Sequence, residues 1–207
     1  MDEHEALALK LAEIGAVKFG LFTLKSGLKS PVYIDLRILV SFPEALKMTA
    51  RQLAKLAEKE KLKFDIIAGI PFAAISIATA VGLEKNWRMV FPRKEVKDYG
   101  TKAAVEGKYG AGETVLVIDD LITTGGSKFE AIAPLEKEGL SVNDVIVLVD
   151  REQGGKAELL KEGYHLHTVF TVTELLEIIH RHGKIDDAHY ENAKRYFDNP
   201  QKWQEGA

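Results

Sequence analysis

The chain has 207 residues, enough for one domain or one domain with a small subdomain and for a sizeable core. Hydrophobic residues make up 46% and charged residues 29%, an ordinary globular balance, and a net charge of -3 gives no basic field for nucleic acid. No cysteine is present, which excludes a disulfide framework or thiolate metal site and suits a reducing compartment.

The opening "MDEHEALALKLAEIG" is acidic and amphipathic, unlike the basic and then apolar start of a signal peptide. No apolar run nears the ~18 residues of a membrane span, so the expectation is a soluble, cytoplasmic protein. Ala6, Leu7, Leu9, Leu11 and Ile14 recur at helical spacing and predict a helix over 3–14. In "FGLFTLKSGLKSPVYIDLR" (19–37), β-formers are broken by Ser26-Gly27 and Ser30-Pro31, the punctuation of a hairpin-like segment. Pro43 opens a helix running to about Lys59.

From there the elements alternate. "FDIIAGI" (64–70) predicts a doubly buried strand, and "PFAAISIATAVGL" (71–83) a helix with Pro71 at its first position. "RMVFPRK" contains a strand, followed by an irregular stretch at 93–112 that is too long for a plain connection and suits a lid or a disordered segment. "TVLVIDD" is a strand, and "GSKFEAIAPLEKEG" a helix ending at Gly139 with Pro134 as a kink or early break. "DVIVLVD" (144–150) is a strand, "KAELLKEG" a helix and "LHTVFT" a strand. "TVTELLEIIHRHG" closes the series as a helix with Thr173 as its cap. The fold class expected is α/β, with a central, mostly parallel sheet flanked by helices.

The chemistry concentrates in "VLVIDDLITTGGS" (115–127). An apolar strand ends in two adjacent carboxylates, Asp119 and Asp120, then enters a Thr/Gly/Ser turn leading into a helix. Open α/β sheets bind ligands at such carboxyl ends. The N–H groups of the turn and the helix dipole form an anion cradle, while the carboxylates accept from hydroxyls or bind a metal ion. A sugar phosphate meets both demands. A bare helix N-terminus would also favour acids, by ~0.3–1 kcal/mol, and accounts for less of the pattern. The shape also fits a Walker B strand, but no G-x-x-x-x-G-K-[ST] loop accompanies it. "GKYGAG" (107–112) lacks the spacing of a dinucleotide fingerprint and precedes its strand. His165 and His167 share a strand face, but no third ligand is evident, and surface or packing roles suit them better.

"VLVIDDLITTGGS" resembles the phosphoribosyl-diphosphate (PRPP) motif of type I phosphoribosyltransferases. "FGLFTLKSGLKSPVYIDLR", "FPRKEVKDYGTKAAVEG" and "VIVLVDREQGG" narrow the resemblance, over about residues 15–185, to orotate phosphoribosyltransferase. It implies a single domain over 1–207 with a small N-terminal hood near 1–45. It also implies transfer of 5-phosphoribose from PRPP to orotate with Mg²⁺, the metal held mainly by substrate and water, with no direct protein ligand. The resemblance gives Asp119 and Asp120 the ribose hydroxyls. By the same resemblance Thr123, Thr124, Gly125, Gly126 and Ser127 hold the 5′-phosphate, and Leu121 and Ile122 belong to the PRPP contacts.

Phe72 and Ala73 correspond to the pyrophosphate-binding backbone, although some members carry Lys at position 73. Lys97, helped by Arg93, Lys94 and Tyr99, corresponds to a catalytic loop that reaches a neighbouring subunit's site, which implies a homodimer. Many members have His where Tyr99 stands, and a phenol supplies no charge near neutral pH. Lys25, Tyr33, Ile34, Thr123 and Arg151 correspond to orotate contacts, Lys25 also to a PRPP contact. Arg151 offers the planar fork that suits a carboxylate. Without the resemblance, Tyr33 and Ile34 read as β-core. A phosphoribosyltransferase for another base and a non-catalytic PRPP-sensing regulator remain as alternatives.

Overall fold

The computed structural model describes residues 1–24, 27–93 and 104–205. Strand β1 (Val17–Thr23) pairs antiparallel with β2 (Lys29–Ile34), forming the expected hairpin-like unit. Helix α1 (Glu3–Glu13) precedes it, capped by the Asp2 carboxylate on the Glu5 N–H at 2.8 Å. A 3-10 segment, Leu36–Ser41, leads into α2 (Pro43–Lys59), which opens on Pro43 as its sequence requires.

The main sheet has six strands in the order β5-β4-β3-β6-β7-β8. Strands β3 (Ile66–Gly69), β4 (Met89–Pro92), β6 (Thr114–Ile122), β7 (Ser141–Asp150) and β8 (His165–Thr171) are parallel, and β5 (Val105–Glu106) joins the edge antiparallel. Helices α3 (Ala73–Lys85), α4 (Gly126–Lys137), α5 (Gly155–Lys161) and α6 (Val172–Arg181) connect or follow these strands, and α7 (Asp187–Asp198) and α8 (Pro200–Glu205) close the described chain.

Both faces of the sheet are covered, and the strand period of two shows in the core. Leu116 and Ile118 of β6 pack with Ile146 and Leu148 of β7 on the side of α2, α3 and α6. Val115 and Val117 pack with Val145 and Val147 on the opposite side, against Ile132 and Leu135 of α4 and Leu159 of α5. Burial on both faces is why these strands read as continuous apolar runs.

Three local expectations are corrected. Pro71 is not the first residue of α3: Ile70 is still held to the sheet through its N–H on the Ile118 carbonyl at 3.0 Å, so Pro71 and Phe72 are spent on the turn. The Pro71-Phe72 peptide is cis. Thr171, not Thr173, caps α6, its Oγ1 accepting from the Glu174 N–H at 3.1 Å. The strand runs directly into the helix at Thr171, so no spare residue separates them, and Thr173 instead donates through N–H and Oγ1 to Glu152. Within 93–112, irregular by sequence, Val105–Glu106 pairs with β4; residues 94–103 lie outside the described residues. Pro134 sits inside α4, which continues to Lys137.

Candidate active site

Strand β3 leads outward to β4 on one side, while β6 leads to β7 and β8 on the other. The carboxyl ends of β3 and β6 therefore meet where the strand order reverses, the place where an open α/β sheet has a natural crevice. A cavity of about 420 Å³ lies there. Its wall takes Tyr33 and Ile34 from β2, Phe72 from the turn after β3, Ala73 from the start of α3, Asp119, Asp120, Leu121 and Thr123 from β6 and its loop, and Ser127 from the start of α4. These nine positions, spread over 95 residues of sequence by the motif reading, are thus brought together. A larger cavity of about 650 Å³ lies against Leu21, Arg195 and Trp203, away from the acidic pair and its loop.

The loop after β6 has the backbone of an anion cradle. Gly125, at φ +94°, precedes α4, a conformation that favours glycine, and its carbonyl accepts from the Lys128 N–H at 2.9 Å. Thr124 and Gly126 are exposed on the loop. Ile122 is different: its side chain is fully buried in the core, and only its backbone borders the loop. The loop is braced by α5. The Gly155 N–H donates to the Thr123 carbonyl at 2.9 Å, and a Cβ at Gly155 would stand 2.6 Å from that same oxygen.

The two carboxylates differ. Asp119 is buried, and its Oδ2 lies 2.5 Å from Lys128 Nζ while Oδ1 accepts the Asp120 N–H at 2.9 Å. Asp120 is half-buried and accepts the Leu121 N–H at 2.8 Å. Burial, and then the negative charge of Asp119, push the Asp120 carboxyl up to about 7. Among the described residues no three His, Asp or Glu side chains converge as a metal site. His167 instead pairs with Asp144 at 2.8 Å, and His165 is exposed.

Arg151 follows β7, its N–H on the Ile122 carbonyl at 3.0 Å. Its guanidinium lies 5.9 Å over the Phe197 ring and contacts Tyr196 of α7, and its buried Nε has no hydrogen-bond partner. Burial lowers its proton affinity below the usual arginine value. Arg93 is ion-paired with Glu106 across the β4–β5 edge rather than lining the cavity. Lys25, Lys94, Lys97 and Tyr99 lie outside the described residues.

Sequence reasoning missed three charged residues of the cavity wall, as well as Leu36, Ile70 and Pro71. Asp35 and Arg37 form a two-pronged pair, Nε to Oδ1 at 2.7 Å and Nη2 to Oδ2 at 2.9 Å, and Arg37 also donates to the Tyr33 hydroxyl at 3.1 Å. The third is Lys128. A cation in the first turn of a helix opposes the dipole, and in "GGSK" that was the available signal.

The phosphoribosyl transferase domain pattern matches residues 39–186. The chain is 44% identical over 192 residues to bovine uridine 5′-monophosphate synthase, covering 93% of this chain and 40% of that protein. It thus spans about two-fifths of the length of that relative. It is 39% identical over 173 residues to the orotate phosphoribosyltransferase of Pyrococcus furiosus, covering 84% of this chain and 95% of that one. The solved UMP synthase of Leishmania donovani superposes with a TM-score of 0.85 at 42% identity, over 94% of this chain and 42% of that one. With most of an orotate phosphoribosyltransferase matched end to end, and the motif loop at the switch point of the sheet, the chain belongs to the phosphoribosyltransferase family, among its orotate phosphoribosyltransferases.

Proposed function

We propose that this chain transfers the 5-phosphoribosyl group from PRPP to orotate, giving orotidine 5′-monophosphate and pyrophosphate, the step that makes the first pyrimidine nucleotide. The observation that carries this reading is one cavity joining the acidic pair, the Thr/Ser loop and the Tyr33 wall. In that reading the loop Thr123–Ser127 takes the 5′-phosphate with backbone and hydroxyl donors, and the acidic end of β6 addresses the ribose hydroxyls. Phe72 and Ala73 supply backbone to the pyrophosphate.

The C1–O bond to pyrophosphate breaks as the orotate ring nitrogen bonds to C1, and positive charge develops on the ribose. The protein's task is positioning and charge compensation. Tyr33 and Ile34 wall the base, with Tyr33 held by Arg37. Lys25 and Arg151 address orotate, Arg151 as a fork for its carboxylate. Lys97, with Lys94, Tyr99 and Arg93, compensates the leaving pyrophosphate, reaching across a homodimer interface. A Mg²⁺ ion, held mainly by substrate and water, would neutralise diphosphate charge. The Lys128 ammonium on Asp119 lowers the pull of the acidic pair on such an ion. The first 45 residues act as a hood on a single domain, and the setting is cytoplasmic; no helix among the described residues is long and apolar enough to cross a membrane.

The test follows orotate absorbance in the presence of PRPP and Mg²⁺. Loss of absorbance with release of pyrophosphate supports the reading. Turnover with adenine or uracil in place of orotate overturns the choice of base, and PRPP binding without turnover on any base favours the regulator.

A further inference from the structure

The three N–H donors of an ammonium are all committed at Lys128. Its Nζ lies 2.5 Å from Asp119 Oδ2, donates to the Leu121 carbonyl at 2.6 Å, and reaches Ser127 Oγ at 3.4 Å. The side chain is 95% buried, in the first turn of α4, where its charge opposes the helix dipole. A buried lysine is retained against desolvation only by such partners. These three link the end of β6 to the start of α4, across the whole span of the proposed phosphate loop.

We infer that Lys128 is a positioning residue: it occupies Asp119, staples the loop 121–127 shut behind the phosphate, and leaves Asp120 as the one carboxylate of the pair presented to the ribose. Both oxygens of Asp119 are engaged by the protein, one by Lys128 and one by the Asp120 N–H. Asp120 is the more exposed of the two. Asp119 therefore works through Asp120: it anchors the Asp120 backbone, and Lys128 cancels its charge so that the cavity carries one net negative charge from the triad instead of two. Two uncompensated carboxylates would repel an incoming trianionic or tetra-anionic substrate; the lysine removes half of that repulsion without spending a donor on the ligand.

This inference rests on the PRPP reading, and the experiment separates the two. PRPP affinity is measured by calorimetry, and kcat and KM by orotate turnover, in the full chain, wild type and the variants K128M, D120N and the double variant K128M/D119N. Methionine keeps the length and apolar stem of lysine while removing the charge. K128M leaves Asp119 buried and unpaired, and PRPP affinity falls about tenfold or more, with KM for PRPP rising in step. The double variant carries neither buried charge and recovers most of that loss, a non-additivity that general damage to the fold does not produce. D120N loses affinity that no change at position 128 restores.

K128M within about twofold of wild type for both PRPP affinity and KM overturns the inference, as does a double variant whose defects simply add. If K128M does not fold, the double variant still decides: binding as weak as that of D120N makes Asp119 a ribose ligand in its own right and overturns the division of labour. Wild-type protein that binds no PRPP overturns the functional reading instead.

Discussion

Asp119 and Asp120 are neighbours in sequence and unequal in the fold: Lys128 compensates the first at 2.5 Å, whereas burial beside that first carboxylate pushes the second up to about 7. Two adjacent acids, alike by sequence, are thereby given different electrostatic surroundings. That difference has a thermodynamic consequence.

Unfolded, Asp120 loses its proton near the ordinary value of 3.8; folded, it keeps it to about 7. Between those values the folded state binds more protons, so this group's contribution to stability falls as pH rises through the window. Asparagine is neutral throughout. Asp120→Asn should therefore stabilise the protein more at pH 8 than at pH 5, as read from urea unfolding midpoints at the two pH values. An equal offset at both would show that Asp120 is not the group burdened by burial. The same variant should lose the acidic limb of kcat/KM for PRPP, because the ionised carboxylate is the better acceptor for ribose hydroxyls.

Gly155 and Thr123 are in contact across two loops, and the contact has no room to give. A Cβ at Gly155 would stand 2.6 Å from the Thr123 carbonyl and 2.6 Å from Ile122 Cγ1. Gly155→Ala should cost about 1–3 kcal/mol of stability, the usual range for overpacking a dense site. Because the displaced residue belongs to the proposed phosphate loop, KM for PRPP should rise while KM for orotate changes little. A variant with normal stability and normal KM for PRPP would mean that α5 does not brace the loop. Thermal unfolding and initial-rate kinetics on one preparation give both numbers.

The sheet was legible because its strands are buried on both faces. Residues 115–118 and 145–149 are apolar without a break, and carboxylates follow them at Asp119, Asp120 and Asp150 near the carboxyl ends of β6 and β7. The site was legible where backbone chemistry demands particular residues, as at Gly125 and the adjacent acids. What was not legible depends on tertiary placement. Thr171 and Thr173 both suit a cap, and only the point where β8 stops pairing decides between them. The antiparallel edge strand β5 is two residues long, too short to leave a periodic signal. Lys128 looks like a solvated helix lysine until α4 is docked on β6, and Arg37 looks like a surface residue until Asp35 and Tyr33 orient it.

Lys97 is proposed to act on charge that grows as pyrophosphate leaves, so its effect should fall on the chemical step. Lys97→Ala should lower kcat roughly 10²–10³-fold, the scale seen when one donor to a developing charge is removed, with a much smaller loss in PRPP affinity. Single-turnover kinetics beside calorimetric PRPP binding separate the two. Equal losses in both would reduce Lys97 to a ground-state binding residue. Because the loop is proposed to serve the neighbouring subunit, mixing Lys97→Ala with an Asp120→Asn chain, each impaired on its own, should raise activity through hybrid dimers that keep one intact composite site. No recovery on mixing would place the loop over its own chain's site.

Arg151 is proposed to recognise the orotate carboxylate. Its backbone is tied to Ile122, its guanidinium lies over the Phe197 ring and contacts Tyr196, and its buried Nε has no hydrogen-bond partner. A buried donor left without an acceptor is costly, and a bound orotate carboxylate accepting from that fork would relieve the cost on binding. Lysine keeps the charge and loses the planar pair of donors. Arg151→Lys should therefore raise KM for orotate by about tenfold to a hundredfold, the worth of a charged hydrogen bond, while KM for PRPP stays near its wild-type value. The discriminating control is uracil, which is orotate without the carboxylate. If Arg151 reads that group, the variant should narrow the preference for orotate over uracil, chiefly by losing orotate. A variant that loses both bases alike would place Arg151 in the packing of α7 against β7 rather than in recognition of the base.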